Sequence, residues 1–349
     1  MYSLADYDYE LPEDLIAQEP VKQRDHSRLL HLNRSNGSVS HHRFADITEM
    51  LSPSDVLVVN NTQVIPARLF GKKETGGKVE LLIVNYPEAA SNSGSNRFSC
   101  ECLIRASKAP KPGTKLDFGP MLSAVVKDFR DNKFIVEFKA ETAFEEILDS
   151  QGEVPLPPYI RRPGIETDRQ TYQTVYAAKK GAVAAPTAGF HFTDSLLKGL
   201  RQKGIQLAAI TLHVSYGTFM PVRVQDIRNH EMHSESYSIS EETASLVNRA
   251  KAEGRRIVAV GTTSVRTLEY AADDAGRIQP HSGNCNLFIY PGYRFKTLDA
   301  MITNFHLPKS TLLMLVSAFA GRDNIFAAYQ EAIHRQYRFY SYGDAMFIE

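Results

Sequence analysis

Hydrophobic and polar residues alternate along the chain in two different ways. From about residue 68 to 153, short β-rich runs such as KVELLIV, FSCECLI, SAVVKDF and KFIVEFK are separated by Gly, Asn, Ser and Asp. Several strands at such short spacing are typical of a small sheet or barrel. Within this region the polar stretch YPEAASNSGSNR, residues 86–97, predicts a turn-rich hairpin tip.

After residue 155 helical and strand patterns alternate. Thr193 or Asp194 can cap a helix over DSLLKGLRQK, and Ser240 can cap one over EETASLVNRAKAE. Further helices are predicted over SVRTLEYAA, TLLMLVSAFA and IFAAYQEAIHRQY, and strands over IQLAAITLHV, SESYSIS, RIVAVG, NLFIY, AMITNF and DAMFI. Repeated strand–helix units predict a largely parallel sheet covered by helices.

The two patterns meet at EVPLPPYIRRPG, whose prolines favour a stiff, extended connection. Before the β-rich region, an apolar strand is predicted over VLVVN. We therefore predict the α/β class, with a discontinuous main domain at residues 1–66 and 155–349 and the active site in its second part. A barrel-like, β-rich domain is inserted at residues 67–154, since insertion at a surface loop is well tolerated.

Composition narrows the class of protein. The chain has 349 residues, 43% of them hydrophobic, and equal numbers of basic and acidic side chains, which is ordinary for a globular protein. Three cysteines argue against a disulfide framework. The amino terminus lacks the basic start and apolar core of a signal peptide, and the longest apolar run is too short to cross a bilayer. We expect a cytoplasmic protein without a membrane segment.

The segment NHEMHSE, residues 229–235, groups two histidines with two glutamates. Its H-E-x-H spacing is one residue short of the H-E-x-x-H zinc motif. Because the following residues have a strand pattern, His230 and His233 would point to opposite faces, whereas His233 and Glu235 would share one. Two interpretations remain open: an acid/base pair in which Glu235 orients His233, and a polar surface strand.

Three further segments place small or polar residues where a strand gives way to a helix, which is where ligands bind in open α/β sheets. They are APTAGFHF, VGTTSVR and TNFHLPKSTLLML. The third lacks the glycines of a phosphate loop, and the chain has no G-x-G-x-x-G, so a nucleotide triphosphatase and a dinucleotide site are both excluded. The candidate binding residues are Thr187, Gly189, His230, Thr262, Thr263, Arg266, Asn304 and His306, and His191 is a candidate catalytic residue.

Each candidate also has a structural interpretation. His191 suits a core histidine beside a tight turn, and Arg266 suits a salt bridge behind ordinary helix capping. Asp344 in SYGDAMF is either an active-site carboxylate or a turn former.

Basic residues cluster between residues 155 and 230, where ten Lys and Arg stand against four acids, a net charge of +6. Interleaved tyrosines would suit a nucleic-acid backbone with stacking bases. A solvated surface explains the same pattern. The candidate RNA-binding residues are Arg161, Arg162, Lys179 and Lys180.

Taken together, these segments resemble one family, the S-adenosylmethionine:tRNA ribosyltransferase-isomerases of queuosine biosynthesis. The resemblance extends from DYDYELPEDLIAQEP to YRFYSYGDAMFIE. It is carried by VNNTQVIPARLFG, LPPYI, YQTVYA, GAVAAPTAGFHF, TLHVSYGTFMPVRV, HEMHSE, AVGTTSVRTLE, FIYPG and TNFHLPKSTLLMLVSAFAG. Departures are Lys309 in place of Glu, Phe190 in place of Leu, and Ser215 with Tyr216 in place of Gly and a small residue.

The resemblance implies transfer of the ribosyl moiety of S-adenosylmethionine to 7-aminomethyl-7-deazaguanine at the wobble position of tRNA with a G-U-N anticodon. The products are epoxyqueuosine-tRNA, adenine and methionine. S-adenosylmethionine is then a co-substrate, no metal or other cofactor is expected, and we expect a monomer.

The resemblance also suggests roles. His213 or His233 is the candidate base, with Glu235 orienting His233. His191 and Asp344 are candidates for proton transfer to adenine or for holding the ribose. Arg266, Thr262 and Thr263 suit the methionine carboxylate, because a helix amino terminus and a guanidinium both favour anions. A metal-dependent hydrolase and a non-catalytic RNA-binding protein remain the alternatives.

Overall fold

The computed structural model describes residues 2–85 and 96–349, so most of the hairpin tip predicted over residues 86–97 lies outside the described residues. The strands are β1 Arg28–Leu32, β2 Val39–Arg43, β3 Val56–Asn60, β4 Thr62–Val64, β5 Arg68–Lys73, β6 Lys78–Ile83, β7 Arg97–Ala106, β8 Lys115–Asp117, β9 Leu122–Arg130, β10 Lys133–Ala140, β11 Lys179–Ala182, β12 Gln206–Leu212, β13 Glu235–Ile239, β14 Ile257–Val260, β15 His281–Cys285, β16 Ala300–Asn304 and β17 Ala345–Ile348. The α-helices are α1 Ile47–Met50, α2 Phe144–Gln151, α3 Asp168–Thr171, α4 Asp194–Gln202, α5 Glu241–Ala252, α6 Thr262–Ala271, α7 Thr311–Ala320 and α8 Arg322–His334.

Three of the helices, α4, α5 and α7, begin where a side chain satisfies a free backbone N–H group. The hydroxyl of Thr193 accepts a hydrogen bond from the N–H of Leu196 at 3.1 Å, which starts α4. Ser240 starts α5 in the same way, as predicted. None of the helices in the described part of the chain combines the length and hydrophobicity needed to span a bilayer.

The main sheet of the described residues has the order β15-β13-β12-β3-β14-β16-β17-β1-β2. Its four central strands, β12, β3, β14 and β16, are parallel to one another. Strands β3, β14 and β16 are buried along their whole length because helices cover both faces, which explains their continuous apolar sequence. The flanking strands make the sheet mixed, and the carboxyl ends of the central four lie at one edge.

Strands β5 to β10 close into an antiparallel barrel with a hydrophobic core of its own. Phe144 of α2 packs on Phe98 with ring centroids 4.4 Å apart and covers part of that core. The chain enters and leaves the barrel at one place, because Arg68 and Glu153 exchange backbone hydrogen bonds of 3.1 and 2.8 Å. The predicted fold class, an α/β main domain with an inserted barrel, is confirmed.

The strand predicted over NLFIY is wrong. The strand lies five residues earlier, at the polar sequence His281–Cys285, where β15 pairs with β13 at the edge of the sheet. The apolar residues Leu287 to Tyr290 instead pack as an irregular segment on the main core. Strands β1 and β2, which extend the opposite side of the sheet, were not predicted from the sequence.

Candidate active site

A cavity lies at the carboxyl ends of β12, β14 and β16, where ligands bind in open α/β sheets. Segments from six parts of the chain form its walls. They contribute Tyr159, Ala185, Pro186, Thr187, Ala188, Val214, Thr218, Gly261, Thr262, Thr263, Thr303, Asn304, Phe305, His306, Leu307, Ser310, Leu312, Tyr340 and Ser341. Among these described residues the polar groups are hydroxyls, one amide and one imidazole, without a carboxylate.

The turn between β14 and α6 forms one wall of the cavity. Gly261 has φ of +83°, a left-handed conformation that glycine adopts without strain, and Thr262 and Thr263 follow as the first residues of α6. The buried amide of Asn60 donates hydrogen bonds to the carbonyl of Leu212 at 3.0 Å and to the hydroxyl of Thr263 at 3.3 Å. The amide therefore joins the ends of β3 and β12 to the start of α6, and Asn60 was not among the residues predicted from the sequence.

A buried hydrogen-bonded chain fixes the orientation of Asn304. Its Oδ1 accepts from the hydroxyl of Thr187 at 2.9 Å, and its Nδ2 lies 3.2 Å from Nε2 of His191. With Asn304 as donor, Nε2 is the acceptor, so the proton of the ring lies on Nδ1 and is donated to Ser27 Oγ at 2.7 Å. Asn304 and Thr187 thus face the cavity, and His191 supports them from behind.

His191 is held in the neutral form. Burial, together with the charges of Arg24 and Arg338, lowers its pKa to about 3. Burial also lowers the pKa of His306 to about 3, and Nε2 of that ring lies 2.9 Å from the hydroxyl of Thr303. At neutral pH both rings are therefore hydrogen-bonding groups without charge.

An aromatic wall closes another side of the cavity, and the sequence analysis did not identify it. The rings of Tyr159 and Tyr340 lie 4.8 Å apart, and the hydroxyl groups of Tyr159 and Ser341 are 2.5 Å apart. Tyr340 has φ of +70°, which is costly for a residue with a bulky side chain. Such strain concentrates at functional sites.

Arg266 and Glu235 lie apart from the cavity lining, as a buried ion pair. Nη1 of Arg266 is 2.5 Å from Oε2 of Glu235, and both side chains are 3% exposed. The other carboxylate oxygen accepts from the N–H of Ser215 at 2.9 Å, and Nε of Arg266 donates to the carbonyl of Leu287. The pair ties α6 to the start of β13, which is the structural interpretation that the sequence left open for Arg266.

His230 and His233 precede β13 and line a second depression, which meets the cavity at Thr218. Burial and the neighbouring His233 lower the pKa of His230. Gly217 lets the backbone approach His233 closely, because a Cβ there would lie 2.4 Å from the ring. No group of three or more His, Cys, Asp or Glu in the described residues is placed to hold a metal ion.

The remaining candidates, His213 and Asp344, lie outside the cavity lining. His213 faces Thr62, with Nδ1 2.8 Å from the hydroxyl, while its neighbour Val214 lines the cavity. Asp344 is buried and accepts from the backbone N–H groups of Arg28 and Arg338 at 2.9 and 2.8 Å.

Comparisons with known proteins agree along the whole chain. A family model described as queuosine biosynthesis protein matches residues 4–348. The chain belongs to this family. It is 52% identical to the S-adenosylmethionine:tRNA ribosyltransferase-isomerase of Pelobacter propionicus over 345 residues, 99% of both chains. It is also 52% identical to that of Geobacter metallireducens over 344 residues, 98% of both chains.

A crystal structure of the S-adenosylmethionine tRNA ribosyltransferase from Thermotoga maritima is similar to this family member. It aligns with a TM-score of 0.56 and 38% sequence identity, covering 99% of this chain and 100% of the other.

Three of the four basic residues predicted to bind RNA are paired with acids. Arg161 binds Glu13 on the surface, and Arg162 forms a two-pronged pair with the buried Asp168, with both distances 2.7 Å. Lys180 lies 3.3 Å from Asp149, and Lys179 is exposed in β11. Their part in RNA binding by this queuosine family member stays a prediction.

Proposed function

We infer that the protein transfers and isomerises the ribosyl moiety of S-adenosylmethionine onto 7-aminomethyl-7-deazaguanine at the wobble position of tRNA. Epoxyqueuosine-tRNA, adenine and methionine are the products. The observation that carries this proposal is 52% identity to ribosyltransferase-isomerases along the full length of both chains. The cavity at the carboxyl edge of the sheet is where the chemistry is proposed to occur.

The reaction needs a base first. The sulfonium of S-adenosylmethionine makes the adjacent C5′ protons acidic, so a base that is neutral near pH 7 suffices. We assign this step to His233, because it lines the depression that meets the cavity, with His213 as the alternative. His191 and His306 have pKa values of about 3, so they are poor proton donors to adenine at neutral pH.

The cavity walls suit neutral recognition. Thr187 and Asn304 offer a hydroxyl and an amide to ribose or base edges, and the first N–H groups of α6 favour the methionine carboxylate. Tyr159 and Tyr340 offer apolar faces for a purine ring.

Adenine release tests the proposal. The protein is incubated with S-adenosylmethionine and tRNA that carries 7-aminomethyl-7-deazaguanine, and free adenine is measured by chromatography. Adenine that depends on the modified base is the expected result. No adenine from this protein, beside turnover by the Pelobacter propionicus relative, would refute it.

The base is identified by a second measurement. Exchange of the C5′ protons with deuterated solvent is compared in His233→Ala and His213→Ala. We expect exchange and adenine release to fall together in His233→Ala only. Loss confined to His213→Ala would move the base to that residue.

Three finer features are part of the proposal. The substrate tRNAs carry a G-U-N anticodon, the protein acts as a monomer, and it acts in the cytoplasm. Adenine release from modified tRNAs with other anticodons would contradict the first, and a dimeric mass by light scattering would contradict the second.

A further inference from the structure

A second charged depression lies on the main domain, outside the cavity. We call it the arginine–histidine patch. It is lined by His26, Arg28, His41, His42, Arg43, Asp46, Arg335 and Tyr337. Three arginines and three histidines therefore face it with one carboxylate, which is an arrangement suited to anions.

The patch lies at the same edge of the sheet as the cavity. Asn304, which lines the cavity, is the register partner of Ala345 in β17. Ala345 is the partner of Leu29 in β1, and Leu29 is the partner of His42 in β2. Three strand-to-strand steps of about 4.8 Å place His42 about 14 Å from Asn304.

Two of the arginines are partly neutralised by acids. Nε of Arg28 lies 3.3 Å from Asp344, and its guanidinium lies over the ring of Tyr337, 4.0 Å from the centroid. Arg335 pairs with Glu331. Arg28 also donates from both terminal nitrogens to the carbonyls of Arg335 and Gln336, whereas Arg335 keeps 53% of its side chain exposed.

Arg43 supplies the clearest positive charge of the patch. It is exposed at the end of the edge strand β2, next to Arg28 in the register. The one carboxylate of the patch, Asp46, accepts from the backbone N–H of Arg43 at 2.9 Å and so serves the turn. Nε2 of His42, the preceding residue of β2, lies 2.9 Å from the hydroxyl of Ser40.

We propose that the arginine–histidine patch binds phosphate groups of the tRNA strand that leads away from the nucleotide held in the cavity. The proposal rests on the function proposed above. A planar guanidinium matches phosphate geometry, and about 14 Å corresponds to roughly four stacked nucleotides at about 3.4 Å each. The anticodon arm would thus cross β17 and β1.

The test measures binding of the modified tRNA to the full-length protein without S-adenosylmethionine, over about 50 to 200 mM salt. Arg43→Ala should weaken binding roughly fivefold and Arg43→Glu at least tenfold, and each should lower the slope of log Kd against log salt by about one. Arg201→Glu is the matched control. It is an exposed arginine at the end of α4, which leads into the amino end of β12 at the opposite edge of the sheet.

Unchanged tRNA affinity and salt slope in Arg43→Glu would overturn the proposal, as would an equal loss in Arg201→Glu. Arg43→Ala keeps the test independent of folding, because it adds no charge beside Asp46. When adenine release is measured over a range of tRNA concentrations, the kcat of this variant should equal that of the wild type. Its KM for tRNA should be higher. If the wild type releases no adenine but tRNA binding still depends on Arg43, the proposed function fails and the patch stands.

Discussion

Replacing Arg266 with methionine distinguishes a framework residue from a substrate-binding one. Methionine keeps the length of the side chain and removes its charge and its donors. Glu235 would then remain buried, 3% exposed, with only the N–H and hydroxyl of Ser215 to face it. Breaking a buried ion pair from one side costs about 3–5 kcal/mol, because the other charge is left without compensation.

That loss of free energy predicts a measurable change in melting temperature. An unfolding entropy of about 2.1 cal/mol/K per residue gives about 0.7 kcal/mol/K for 349 residues. A loss of 3–5 kcal/mol therefore lowers the Tm by about 4–7 °C. Adding Glu235→Gln to Arg266→Met should recover part of the loss, since no buried charge then remains.

The Tm is measured by thermal unfolding, with circular dichroism as the signal. The affinity for S-adenosylmethionine is measured by calorimetric titration at a temperature well below the Tm. Arg277→Met is the control, because Arg277 pairs with Asp273 on the exposed surface, and its Tm should equal that of the wild type. A wild-type Tm in Arg266→Met together with weakened S-adenosylmethionine binding would refute the framework role. Arg266 would then bind the methionine carboxylate, as the sequence suggested.

Two further predictions concern buried groups. In the folded protein the pKa of His191 and of His306 is about 3, which is below the ordinary value. The unfolded state therefore binds protons more tightly. Stability should then fall as pH drops below about 6.5, by about 2 kcal/mol per histidine at pH 5. Urea unfolding of His191→Asn and His306→Asn should show a weaker pH dependence, and an unchanged one would contradict the burial argument. Gly189→Ala should destabilise by about 1–3 kcal/mol, because its Cβ would lie 2.1 Å from the hydroxyl of Tyr176. Gly199→Ala, in open space within α4, should stabilise by about 0.5–1 kcal/mol, and equal effects of the two changes would argue against the close contact.

The sequence alone was enough to predict most elements of the main domain, because periodicity reports which face of an element is buried. The caps at Thr193 and Ser240, the helices α4 to α8 and the insertion of a β-rich domain were confirmed. Five candidate binding residues, Thr187, Thr262, Thr263, Asn304 and His306, line the cavity, since each follows a buried strand or opens a helix at one edge of the sheet.

The hydrogen-bond and ion-pair partners of these side chains could not be predicted, because strand order, not local pattern, brings distant residues together. Arg266 and Glu235 meet because α6 crosses the start of β13, so neither faces the cavity. Asp344 meets Arg28, 316 residues away, because the last strand pairs with the first.

Local pattern in the sequence was therefore enough for most elements of the main domain, the insertion, the family and the edge of the sheet where the cavity lies. Which polar groups face the cavity, and which are held behind it, depends on the folded chain. The physical reason is that a buried charge or imidazole needs a specific partner. His191 has its partners in Ser27 and Asn304, 164 and 113 residues away, and only the folded chain brings them together.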